Sequence, residues 1–397
     1  MAEAPLIFQD LFYVWLVGLA GGLLAHLLKQ PLLLGYMLGG ILISPFTPGP
    51  AVHHVETIQH LAEFGVVLLM FSIGLELAPV GLRRIGKGSV VIGTLKTLLL
   101  AAVWVGLGWK WGWPLSQSVV LGFALSVSST MVVTKMLMER KELKTAYGEL
   151  LVGITIIEDC VMMAFLLFLP LLADSTQWQV TSVIWVIAKS IALLALIFIL
   201  GSRLVPRLLA LVSRANDPEL SVLVLLVVAL GVAVIAVWCG LSLALGAFVA
   251  GLVVSGSETT SHTMGRMLPM RDLFVVTFFV SLGVLLDPFL VARQWALFLT
   301  WLGFVLACNW IISAGLSLAL RLPWHDAWRV GVGLSQIGEF SIVLCTIAKP
   351  LGLIPDDFYH LVVAVSLVSI LVNTFVFNLL AQVPSMLSAM RSHPVTP

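Results

Sequence analysis

Apolar runs recur along the chain from residue 6 to residue 383, separated by short stretches rich in Pro, Gly and charge. Cutting at those interruptions leaves segments near the roughly 20 residues that carry a helix across hydrocarbon. The pattern predicts thirteen spans, at about 6–28, 30–45, 56–78, 86–112, 116–138, 148–173, 180–206, 219–237, 241–256, 268–286, 295–320, 325–348 and 358–383. These leave only short loops and a tail over 384–397. The expected class is an all-α, polytopic membrane protein with almost no extramembrane domain.

Charge tests that segmentation independently. With the N-terminus outside, sixteen Lys and Arg residues fall at inner loops and ends, and only Lys110, Arg293 and Lys349 fall at outer ones. Membrane proteins keep their positive loops in the cytoplasm, so the bias predicts the N-terminus outside and the C-terminus in the cytoplasm. A span missed or added midway would scramble it. Composition agrees, with 60% of the 397 residues hydrophobic and 10% charged, against about 25% charged in a soluble domain. The net charge of +1 gives no reason to expect nucleic acid. The first apolar stretch has no basic leader and reads as a span, not a cleaved signal. Cys160, Cys239, Cys308 and Cys345 lie far apart inside apolar runs and read as small core residues.

The two halves resemble each other. LGYMLGGILIS (34–44) aligns with LGAFVAGLVVS (245–255), pairing Gly40 with Gly251 and Ser44 with Ser255. FSIGLELAP (71–79) aligns with VSLGVLLDP (280–288), pairing Gly74 with Gly283, and LGFALS (121–126) aligns with VGVGLS (330–335). The offset is 211, then 209, then 209. Repeat 1, about 6–173, is therefore followed by a linker helix at about 180–206 and repeat 2 at about 219–383. Six spans plus one linker invert the second copy, which is the architecture of alternating-access transporters.

An ionisable residue inside a span marks function by default. Glu158 and Asp159 are adjacent near the middle of the sixth span. Repulsion and desolvation work against both being charged at once, so the pair can hold a proton or exchange it for a cation. Polar interruptions stand at repeat-matched places: SVSST (126–130) in span 5, with Ser128, Ser129 and Thr130, and LSQIGEFS (334–341) in span 12, with Gln336 and Glu339. Broken helices in corresponding positions present carbonyls, hydroxyls and helix ends to an ion. Lys96, deep in span 4, needs a carboxylate or water, and Glu158 or Asp159 is its natural partner. Lys189 carries no functional expectation. Glu63 and Glu76 read as surface residues, His53 and His54 as solvated loop residues, and Trp109, Trp111, Trp113, Trp295 and Trp301 as belt aromatics at span ends. There is no Walker motif, GxGxxG or nucleophile elbow on a soluble unit, so no enzyme, cofactor or metal is expected.

At LGYMLGGILISPFTPG, LAEFGVVLLMFSIGLEL, SVSSTMVV, IIEDCV and GLSQIGEFSIVL the chain resembles the monovalent cation:proton antiporter-2 family, which includes glutathione-gated potassium efflux systems and sodium/proton antiporters. The resemblance covers nearly the whole chain. It implies a thirteen-helix, elevator-type homodimer whose core holds spans 4–6 and 11–13, with crossed discontinuous helices at spans 5 and 12. It also implies that Asp159 binds the cation and the proton. Two departures stand out. Relatives often carry Lys in span 11, where this chain has Asn309, and Gln in span 4, where it has Lys96, so the charge-compensating cation is expected on the repeat-related helix. Potassium-efflux relatives tend to read Gln-Asp where this chain has Glu158-Asp159.

The expected function is a secondary antiporter exchanging potassium or sodium for protons in the bacterial inner membrane. Asp159 would be the alternating ligand, Glu158 a second carboxylate, and Ser128, Ser129, Thr130, Gln336 and Glu339 the lining. Membrane lipid and a second copy are the expected partners, and a cytoplasmic regulatory domain or subunit of the kind many relatives carry is a further expected partner outside the sequence given. A gated monovalent cation channel without obligatory proton coupling is the competing class.

Overall fold

The computed structural model describes residues 3–76, 86–173, 199, 201, 203–205, 207–208, 218–238, 242–255 and 260–391. Its elements are α1 (Glu3–Leu27), α2 (Leu32–Leu42), α3 (Val55–Glu76), α4 (Lys87–Lys110), α5 (Leu115–Ala124), α6 (Thr130–Glu139), α7 (Ala146–Leu166), α8 (Leu169–Ala173), α9 (Pro218–Trp238), α10 (Leu243–Val254), α11 (Thr260–Leu285), α12 (Pro288–Arg293), α13 (Trp295–Ala319), α14 (Trp324–Gly333), α15 (Glu339–Ala348) and α16 (Asp356–Arg391). No strand occurs among the described residues. Seven of these helices are long and apolar enough to cross a membrane. The chain is an integral membrane protein.

Most helices fall where the apolar pattern predicts them. The differences have local causes. The run expected at 116–138 is two helices, α5 and α6, and the run at 325–348 is α14 and α15, because hydroxyl, amide and Gly positions interrupt each. The helix α11 begins eight residues before its predicted start at 268 and passes through Pro269 without ending there. The helix α16 continues to Arg391, past the apolar run that ends at 383. The predicted linker at 180–206 lies almost wholly outside the described residues, as do Lys189, Pro79 and Cys239.

The chain divides into two compact units. The first comprises residues 1–85, 162–289 and 346–355. Within it α2 packs on α1 and α11, while α3 packs on α10 and α11. Val14, Ile43, Val52, Ile58, Val280 and Val284 form one of its buried clusters. Several helix crossings are so close that only Gly fits, two of them at Gly40 and Gly74. A Cβ on Gly40 would run into the Val280 carbonyl and lie 2.9 Å from the Gly283 Cα, and a Cβ on Gly74 would run into the Phe248 carbonyl and lie 3.0 Å from the Gly251 Cα. Small residues allow backbones this close approach in membrane helices.

The second unit comprises residues 86–161, 290–345 and 356–397. Here α4 packs on α5 and α13, α13 on α14 and α16, and α16 on α6 and α14. One end is filled by rings: Trp301 lies 5.9 Å from Trp104, 5.8 Å from Trp113 and 5.1 Å from Phe358, centroid to centroid. Trp301 is fully buried, so it is a core residue and not the belt aromatic expected from its place near a span end. Trp109 and Trp295 are exposed at 84% and 63%, as a belt requires.

Candidate functional site

The site grows from the two interruptions in the second unit. A helix that stops inside hydrocarbon leaves free N–H and C=O groups, and each needs a partner within the protein. Between α5 and α6 the chain is unwound at Val127, Ser128 and Ser129, and between α14 and α15 at Ile337 and Gly338. The two unwound segments supply one another. Gly338 N donates to the Val127 carbonyl at 2.9 Å, Ser129 N donates to Gln336 Oε1 at 3.2 Å, and Ser128 Oγ donates to the Leu334 carbonyl at 2.9 Å. Gly338 is required there, since a Cβ would lie 2.7 Å from both Cα and N of Ser129. Ser129 also caps α6, accepting from Val132 N at 3.2 Å.

Lys96 and Glu158 close one side. Lys96 Nζ lies 2.6 Å from Glu158 Oε1 and 2.7 Å from Ser128 Oγ. Both charged side chains are completely buried. Glu158 Oε2 accepts from Ser128 N at 2.8 Å. The carboxylate therefore does two tasks: it neutralises Lys96 and ties down the first unwound segment. Of the two carboxylates the sequence offers Lys96, the structure selects Glu158.

Asp159 faces elsewhere. Thr130 Oγ1 donates to Asp159 Oδ2 at 2.7 Å, and Glu339 and Glu158 are the charged neighbours of this carboxylate. Asp159 Oδ1 is buried without a hydrogen-bond partner, and so is Glu339 Oε2. Ser129 interacts with the Glu339 carboxylate. Thr130 and Glu339 are the first residues of α6 and α15, so both carboxylates stand beside helix starts, where the backbone carries partial positive charge. The arrangement provides buried carboxylate oxygens, one fixed ion pair and two crossed helix interruptions. Such a set can bind a small cation or a proton and cannot hold both charges cheaply without compensation.

All the expected lining residues lie in this unit, and Ser128, Ser129, Thr130, Glu158, Asp159, Gln336 and Glu339 are brought together. Asn309 is placed differently from a counter-charge: Nδ2 donates to the carbonyls of Leu125 at 3.2 Å and Val305 at 2.9 Å, holding the end of α5. Sequence reasoning did not single out α16. Ser366, Ser369 and Asn373 on that helix reach the second interruption. Their only sequence signal was position, three and four residues apart on one helical face.

A buried carboxylate outside this site was also missed. Asp10 in α1 accepts from the backbone N of His53 at 3.1 Å and of His54 at 2.9 Å, and its two oxygens lie 3.4 Å and 3.0 Å from their Nδ1 atoms. His53 and His54 are therefore bound to a buried acid in the first unit, not simply solvated as their Pro- and Gly-rich loop led one to expect.

Comparison with known proteins places this geometry. The transmembrane sodium/hydrogen exchanger family matches residues 13–383. The chain is 36% identical over 375 residues to the cation/proton antiporter YbaL of Escherichia coli (strain K12), covering 90% of this chain and 66% of that protein. It is 31% identical over 382 residues to K(+) efflux antiporter 5 of Arabidopsis thaliana, covering 94% and 66%. The chain thus spans just under two thirds of the length of these relatives. Among solved structures, the sodium proton antiporter MjNhaP1 of Methanocaldococcus jannaschii superposes with a TM-score of 0.66 at 13% identity, over 98% of this chain and 99% of that one. At that identity the likeness concerns the fold.

Proposed function

The chain belongs to the transmembrane sodium/hydrogen exchanger family, and on that premise we propose that it is a secondary antiporter exchanging a monovalent cation, potassium or sodium, for protons. The observation that carries this reading is the Asp159 carboxylate at the crossed interruptions, with one oxygen bonded by Thr130 and the other buried and unpartnered. A cation or a proton satisfies that oxygen, one at a time, and this competition couples the two fluxes. Thr130, Ser129 and Gln336 supply neutral oxygens, Glu339 the second carboxylate, and the Lys96–Glu158 pair keeps a further negative charge out of the exchange. The printed names of the relatives, a cation/proton antiporter and a K(+) efflux antiporter, and of the structural neighbour, a sodium proton antiporter, support a monovalent cargo.

Alternating access would follow from two inverted six-helix repeats, in an elevator-type homodimer of thirteen spans in the inner membrane. The Gly crossings support the repeat. Gly40 meets Gly283 and Gly74 meets Gly251, and the sequence offset exchanges these two pairs with each other. One internal symmetry would generate both contacts.

Proteoliposomes carrying a pH-sensitive dye test the mechanism. A potassium or sodium gradient should drive proton movement, and Asp159→Asn should abolish it. Retained exchange in that variant would overturn the assignment of Asp159. Cation flux with no accompanying proton movement would mark a channel instead.

A further inference from the structure

The second interruption is held from behind by one face of α16. Ser366 Oγ donates to the Ile337 carbonyl at 3.2 Å. Ser369 Oγ accepts from Ile337 N at 3.3 Å and donates its own proton to the Ser366 carbonyl at 3.0 Å. Asn373 Nδ2 donates to the Gly333 carbonyl at 3.3 Å. Both main-chain polar groups of Ile337 are thus gripped by hydroxyls one helical turn apart, and Asn373, a turn further on, holds the end of α14. All three side chains are buried, so no solvent competes for the backbone groups.

The same task in the first interruption falls to a charge. There Glu158 Oε2 accepts from Ser128 N. Ile337 stands 209 residues after Ser128, the offset of the nearest aligned segments, and Ser369 accepts from Ile337 N as Glu158 accepts from Ser128 N. Ser369 is therefore the neutral counterpart of Glu158, and one half of the molecule keeps the hydrogen bond without the ion pair. Ile337 is flanked by Gln336, which bonds Ser129, and by Gly338, which bonds Val127. Glu339 follows directly.

We propose that Ser369 and Ser366 are positioning residues for cation binding: by clamping the Ile337 main chain they fix where Gln336 and the Glu339 carboxylate stand relative to Asp159. The inference rests on the exchanger reading above. A residue that acts through geometry should alter recognition of the ion more than turnover.

The test uses the full chain in proteoliposomes, with potassium chloride and sodium chloride gradients as probes, measuring KM, maximal rate and the preference between the two cations. Ser369→Ala strands a buried N–H, so KM should rise about tenfold, with maximal rate within about twofold and the preference between cations altered. Ser369→Thr, which keeps the hydroxyl, should restore KM. Ser366→Ala should act in the same direction and decides the matter if Ser369→Ala does not fold. Folded Ser369→Ala or Ser366→Ala protein with the parental KM and cation preference would overturn the positioning role. Absence of cation-driven proton movement in the unsubstituted chain would instead overturn the exchanger reading, and the positioning role with it.

Discussion

Lys96 shows how much one buried charge demands. Its ammonium is completely buried, with Glu158 and Ser128 as its hydrogen-bond partners. Removing one member of such a pair leaves the other charged in a dry site, at a cost of about 3–5 kcal/mol. Lys96→Met should therefore lower the thermal midpoint in detergent substantially, and adding Glu158→Gln should recover most of the loss. A single variant as stable as the parent would mean that the pair is not charged. The need for this partnership was legible in the sequence, because a lysine about ten residues deep in a span has few places to go. Which of two adjacent carboxylates it would take was not legible. That choice depends on the rotation of α7, which places Glu158 toward Lys96 and Ser128 and leaves Asp159 toward Thr130.

Helices carry the site by ending. The breaks after α5 and α14 were readable from hydroxyl and amide clusters at matched positions, since polar groups in an apolar run signal backbone that is not satisfied by its own helix. What the sequence hid was the means of satisfying it. Ser366, Ser369 and Asn373 look like ordinary small or polar residues in a long apolar helix, and only the packing of α16 reveals their targets. Gly338 was visible merely as a glycine in a motif. Its place against the Ser129 backbone makes the crossing distance the critical quantity. Gly338→Ala must push the two interruptions apart, at a cost of about 1–3 kcal/mol. The variant should still insert and purify while exchange falls by at least about tenfold, as measured by dye quenching in proteoliposomes. Parental exchange rates would show that the crossing tolerates the added methyl.

At the scale of the molecule, the helical, membrane-spanning class was open to reading from one sequence, and the orientation is a prediction. Apolar length is dictated by the bilayer, and loop charge by the side on which each loop is retained. The bias of sixteen inner against three outer basic residues predicts that a fluorescent reporter fused after Pro397 will fold and fluoresce in the cytoplasm, while a periplasm-dependent reporter at the same place stays inactive. The opposite result would reverse the orientation. Helix ends were less legible, as α11 and α16 show, because a helix can continue past hydrocarbon into polar sequence for as long as its backbone bonds are kept.

Asp10 and Asp159 together separate two kinds of hidden acid. Asp10 accepts two backbone N–H groups and is approached by two imidazoles, all from consecutive residues of its own unit. Its appetite for positive partners is sated internally, so a passing ion finds nothing to gain there. Asp159 is left hungry on one oxygen. If the chain exchanges cations as proposed, an acid satisfied in this way offers them no competing site, and Asp10 is the only buried aspartate that lies outside the crossing among the described residues.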